Sequence, residues 1–136
     1  MSPLLEMVIR LLVAAAIGAV IGYQRERAKK PAGLRTHILI CVGAALITIT
    51  SIYGFGGLPG ADPSRVAAGI VIGIGFLGGG VIIRRHEGGT VGGLTTAATI
   101  WAVAGLGLAV GAGLLVPAVI AAAIILIALI LPHPIQ

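Results

Sequence analysis

Carboxylates are scarce in this chain: Glu6, Glu26, Asp62 and Glu87 are the only acidic residues among 136. Cys41 is the single cysteine, so no internal disulfide can form and two-cysteine metal or redox motifs are excluded. It lies in an apolar run and reads as a small buried side chain. The aromatic set is Trp101, Tyr23, Tyr53, Phe55 and Phe76, which offers little surface for stacking nucleic-acid bases. The formal charge of +5 therefore does not point to nucleic acid, the more so because the cations sit in loops between apolar runs rather than along one face. His37, His86 and His133 show no metal-ligand spacing, and no nucleophile–base pair can be assembled, which argues against an enzyme. Charged residues make up only 10% of the chain, against roughly 25% in soluble domains. A soluble fold is excluded on that ground.

What is present is apolar. Hydrophobic residues account for 58% of the sequence, and the mean hydropathy is +1.15. Between two long apolar runs lies a short basic island holding Arg25, Arg27, Lys29, Lys30 and Arg35. One such cation at the bilayer centre costs about 2.5–3.5 kcal/mol, so five together belong in water. The island is a loop at a membrane face, and its positive charge marks that face as cytoplasmic. The N-terminal apolar stretch carries Glu6 and Arg10 at its head and runs straight into the island, so it reads as a retained first span rather than a signal peptide.

A membrane-crossing helix needs about 20 apolar residues. The expectation is an all-α, polytopic helical membrane protein forming a single transmembrane domain over residues 1–136. Spans are expected at about 4–23, 36–53, 63–83, 94–110 and 113–131, the fourth of them short. The stretch from 94 to 131 has no charge and is too long for one straight span, so a turn is expected near Gly111 and Gly113. Four spans, the last long and bent, is the alternative. Seven of the nine Lys/Arg fall in the first and third loops, leaving Arg10 and Arg65 for the other side. The N-terminus is then outside, the loop 24–36 cytoplasmic, and with five spans the C-terminus inside.

Glycines recur at small-xxx-small spacing at Gly18 and Gly22, Gly69 and Gly73, Gly75 and Gly79, and Gly107 and Gly111. Such spacing lets helix backbones approach closely where lipid supplies no hydrophobic drive. The third span also holds Gly78 and Gly80, and is expected at the centre of the bundle, touched on several sides. A broken or mobile segment lining a cavity is the alternative. The GxGxxG string from Gly73 to Gly78 lies inside a span and lacks the strand-to-helix turn of a dinucleotide site.

Asp62 and Pro63 read as the cap and opening of the third span. Asp62 could instead pair with Arg65 or Arg10, or offer its carboxylate to a cation. Glu6 and Arg10 are one turn apart and are expected to pair. At the other face Arg35, Thr36 and His37 open span 2, and Thr95 and Thr96 open span 4. The threonines read as caps or as inter-helix hydrogen-bond donors near a polar cavity. Glu26, the sole carboxylate in the basic loop, is expected to offset its neighbours.

Taken in order, the motifs resemble the MgtC/SapB family of bacterial inner-membrane proteins. They are Gly18-Ala-Val-Ile-Gly22, Arg25-Glu26, Ala32-Gly-Leu-Arg-Thr36, Asp62-Pro-Ser-Arg65, the glycine-rich run from Gly73, Gly93-Leu-Thr-Thr96, and Trp101. The resemblance implies a helical membrane domain linked to magnesium homeostasis and to adaptation to magnesium limitation, with an effect on another membrane complex, such as the F-type ATP synthase, proposed for the family. Its motif residues fall here on Arg25, Arg35, Thr36, Asp62, Arg65, Thr95 and Thr96. Three departures stand out: Gln24 replaces the family's usual Glu, Gly92 replaces a common Arg, and the chain stops short of the soluble C-terminal domain of many members, so regulation through it is not expected.

Two functions are compatible with these residues. One is a non-enzymatic regulator or adaptor acting by lateral contact with itself, as a homodimer, or with another inner-membrane complex. The other is a small carrier or channel for Mg²⁺ or an anion. Mg²⁺ prefers several carboxylate and water oxygens, and only Asp62 is a candidate, so no resident cofactor is expected, the alternative being Mg²⁺ held between the two Asp62 carboxylates of a symmetric dimer.

Overall fold

The structure, a computed structural model, describes residues 2–84 and 93–132, with backbone alone at 83 and 84. The readings placed on Arg85, His86, Glu87, Gly92 and His133 lie outside the described residues. Five helices follow one another: α1 (Pro3–Arg27), α2 (Leu34–Ile49), α3 (Ser64–Arg84), α4 (Leu94–Gly111) and α5 (Leu115–Ile130). No strand occurs among the described residues. Four of the segments are long and apolar enough to cross a bilayer, α2 being extended by a π-helical turn at Thr50–Gly54. α5, with 16 residues, is the short one, in place of the expected fourth. The protein is a polytopic helical membrane protein.

Local chemistry sets the ends of α1. Ser2 Oγ accepts from the Leu5 amide at 3.2 Å, Pro3 opens the helix, and Glu6 faces the positive end of its dipole. At the far end Lys29 takes φ of 58°, the Lys29 amide donates to Glu26 O and the Lys30 amide to Arg25 O, both at 3.0 Å. This reversal normally uses glycine at the left-handed position. α4 ends on the same pattern with Gly113 at φ of 92°, where the Leu114 amide reaches back to Ala109 O at 2.9 Å and the chain turns into α5. Toward the end of α2, Thr48 and Thr50 donate to the carbonyls of Ala44 and Leu46, each at 2.8 Å, which keeps their hydroxyls satisfied in an apolar setting.

The core is built by α1, α2 and α4. Ala14, Ile17 and Ile21 of α1 meet Cys41 and Ala45 of α2 and Val103, Leu106 and Val110 of α4, with Ala118 of α5 behind. Glycine allows this approach. A Cβ on Gly18 would lie 2.7 Å from His37 O, one on Gly22 2.8 Å from Leu34 Cα, and one on Gly111 2.7 Å from Ala45 O. A Cβ on Gly107 would run into Cys41 O.

α3 departs from expectation. It is the least enclosed of the four long helices, and α4 holds the central place instead. A Cβ on Gly69, Gly73, Gly75 or Gly79 would meet nothing within 4 Å, and only Gly78 faces a neighbour, Ala97 of α4 at 3.6 Å. The glycines of α3 are spread around its whole circumference, so only those in phase with the buried Ile74 and Gly78 reach α4. Glycine number marked an accessible surface here, not a central position.

Candidate functional site

A polar cluster sits where the ends of α1, α2 and α4 converge. Arg25, on the last turn of α1, continues the stripe of Gly18, Ile21 and Gly22 that faces the other helices, and is only 2% exposed. Its Nη2 donates to Thr96 Oγ1 of α4 at 2.8 Å, while its Nε has no partner. His37, fully buried on the first turns of α2, places Nδ1 2.8 Å from Gly33 O. A carbonyl only accepts, so Nδ1 carries the proton and Nε2 presents a lone pair when the ring is neutral. That Nε2 and the Gln24 Oε1 are also buried without a partner.

Arg25 cannot shed its proton, and burying a cation is costly unless it is paired or hydrogen-bonded. A hydrogen bond to a charged group contributes about 1.5–3 kcal/mol, so the Thr96 bond offsets part of that cost. Glu26 Oε1 accepts from the Leu34 amide at 3.3 Å and so satisfies the start of α2, and among the described residues Glu26 forms no ion pair with Arg25. Arg35 and Thr36 are exposed in the first turn of α2. The threonines do not cap their helices. Gly33 and Gly93 occupy the cap positions, without side-chain cap bonds, and Thr96 bonds Arg25 instead. Thr95 gives its carbonyl to the Thr99 hydroxyl at 2.7 Å.

At the opposite end, Arg10 ties three elements together. Its Nη1 donates to Gly111 O at the end of α4 at 3.0 Å, its Nη2 lies 3.7 Å from Glu6, and its guanidinium sits 5.4 Å from the Tyr53 ring centre. Asp62 closes the first turn of α3. Its Oδ1 accepts from the Ser64 hydroxyl at 2.7 Å and the Ser64 amide at 3.0 Å. These two bonds, with a smaller contribution from Arg65, hold the exposed Asp62 carboxyl below its usual range. Among the described residues no group of three His, Cys, Asp or Glu side chains could hold a metal ion. A Mg²⁺ site wants near-octahedral oxygen geometry, and the described surroundings of Asp62 do not offer it.

Of the residues singled out from the sequence, the structure brings Arg25 and Thr96 into contact and leaves Arg35, Thr36, Asp62 and Arg65 exposed. It adds His37 to the inner cluster and Arg10 to the outer one. Helical phase carried the missing signal. His37, Cys41, Ala44 and Thr48 form one stripe of α2, and Thr96, Ile100, Val103 and Gly107 one stripe of α4.

The chain is similar to several characterised and uncharacterised bacterial proteins. It is 46% identical over 114 residues to the "Putative magnesium transporter YhiD" of Escherichia coli K12, covering 80% of this chain and 52% of that protein. It is 47% identical over 124 residues to "Protein MgtC" of Salmonella typhimurium LT2 (91% and 51%). With "Protein SapB" of Bacillus subtilis 168 the identity is 45% over 113 residues (79% and 48%). The chain thus spans about half the length of the curated relatives it matches. No solved structure matches it. The MgtC family model matches residues 11–136, and with these relatives it shows that the chain belongs to the MgtC family.

Proposed function

We propose that this protein is a non-enzymatic regulator or adaptor linked to magnesium homeostasis, acting by lateral contact within the bacterial inner membrane. The magnesium link rests on the name carried by the Escherichia coli relative. The observation that carries the lateral reading is the outer side of α3. Gly75 and Gly79 each follow a residue buried against α4, so they are turned about 100° away from that contact. They meet nothing within 4 Å, beside a Phe76 that is 83% exposed. An open small-residue face flanked by an aromatic suits a second helix. That helix comes from a second copy of this chain or from another membrane complex.

The cavities among the described residues favour this reading over a conduit, because they are lined almost wholly by apolar side chains and lie between helices rather than along a polar axis. Orientation is proposed from charge, with the basic loop cytoplasmic and the N-terminus outside. The contacts of α1 put the basic loop and the start of α4 at one face, since Arg25 meets the start of α4 and Arg10 its end, so α1 and α4 run antiparallel.

Thiol cross-linking through Phe76→Cys in intact membranes tests the lateral reading. Cys41 is buried and leaves a quiet background. A discrete adduct, lost when Gly75→Leu and Gly79→Leu are added, is expected. Phe76→Cys that gives no adduct at any reagent length would contradict the proposal.

A further inference from the structure

The seam between α2 and α3 is open. A cavity of about 460 Å³ runs along it, floored by Gly43 of α2 and by Gly69 and Gly73 of α3. None of these three glycines would bring a Cβ within 4 Å of anything. A second cavity of about 400 Å³ reaches from there to Pro31, Ala32 and Thr36 at the basic loop. The two share Leu39, Ile40 and Leu77, so they form one slot from the first turn of α3 to that face. Beside its mouth Lys29, Lys30 and Arg35 are exposed.

We propose that this slot binds one acyl chain of an anionic phospholipid, with the headgroup phosphate held by Arg35 and Lys30. The slot is long and narrow, a shape that suits a hydrocarbon chain. The first cavity follows α3 over residues 66–77, about 16 Å at 1.5 Å per residue, so its 460 Å³ corresponds to a section of about 30 Å². A hydrocarbon chain is one methylene wide, and the slot gives it dispersion partners on both walls that an unfilled seam would forfeit. Charge decides the lipid class. Cations clustered beside a membrane face attract anionic headgroups, and at this mouth Lys29, Lys30 and Arg35 outnumber the one nearby carboxylate among the described residues, Glu26, which accepts from the Leu34 amide. This site differs from the Gly75 and Gly79 face, which lies on the other side of the α3–α4 contact, so either can fail alone.

The test is native mass spectrometry of the purified chain titrated with dioleoyl-phosphatidylglycerol and, separately, dioleoyl-phosphatidylcholine. The wild type is expected to retain one phosphatidylglycerol with at least tenfold preference over phosphatidylcholine. Gly73→Leu and Gly43→Leu fill the slot from opposite walls and are expected to weaken retention tenfold, whereas Gly75→Leu is neutral. Arg35→Gln with Lys30→Gln abolishes the preference. Equal retention of the two lipids by the wild type overturns the proposal without any variant having to fold. So does undiminished retention by folded Gly73→Leu and Gly43→Leu.

Discussion

Arg25 shows how one side chain can fix the relation of two helices. Its only hydrogen bond among the described residues is to Thr96, and both groups are buried. Removing the acceptor with Thr96→Val strands a buried charge, for which a loss of about 1–3 kcal/mol is expected, while Thr96→Ser keeps the hydroxyl and stays near wild type. Denaturant unfolding in detergent checks both. Asp62 gives a pH dependence of defined sign. Its carboxyl is held below the ordinary value by the two Ser64 bonds, so its contribution is fully present above the unfolded-state pKa of about 3.9 and is lost as pH falls through the folded value. Asp62→Asn is expected to flatten the stability profile below about pH 4, as followed by thermal melts. The cap at Asp62 and the Glu6–Arg10 pair were legible from local spacing alone. His37 was not, because its role depends on which face of each helix meets which neighbour.

At the scale of the helices, glycine has two opposite meanings. In α1, and at Gly107 and Gly111 of α4, it sits under another helix's backbone, and in α3 it mostly faces open space. Gly22→Val and Gly107→Val are therefore expected to destabilise by about 1–3 kcal/mol or more through overpacking. Gly69→Ala and Gly75→Ala are expected to stabilise by up to about 1 kcal/mol through helix propensity. Equal effects of the two pairs on the melting temperature would contradict this division. The number and order of helices were readable from hydropathy and length, since each apolar run between polar breaks became one helix, except 94–131, which was too long for one and divides at its glycine turn into α4 and α5. The placement of α3 was not. Small-xxx-small spacing identifies a surface capable of close approach without saying whether the approach is made within the chain or left to something outside it.

For the whole molecule, two clamps at opposite ends hold α1 against α4, Arg10 to Gly111 and Arg25 to Thr96, with α2 wedged between them by glycine contacts. The result is a three-helix core carrying α3 and α5 on its outside, an arrangement suited to presenting helix faces sideways. Under the proposed orientation, Leu58→Cys is expected to react with an impermeant maleimide added to intact cells, and Lys30→Cys only after permeabilisation. Function divides on whether ions pass through this core. The most direct measurement is Mg²⁺ flux into proteoliposomes holding folded, inserted protein under a Mg²⁺ gradient, with protein-free vesicles as the reference. Flux indistinguishable from the reference is expected of a lateral regulator. Flux above it that disappears with Asp62→Ala would contradict that function and make the protein a transporter.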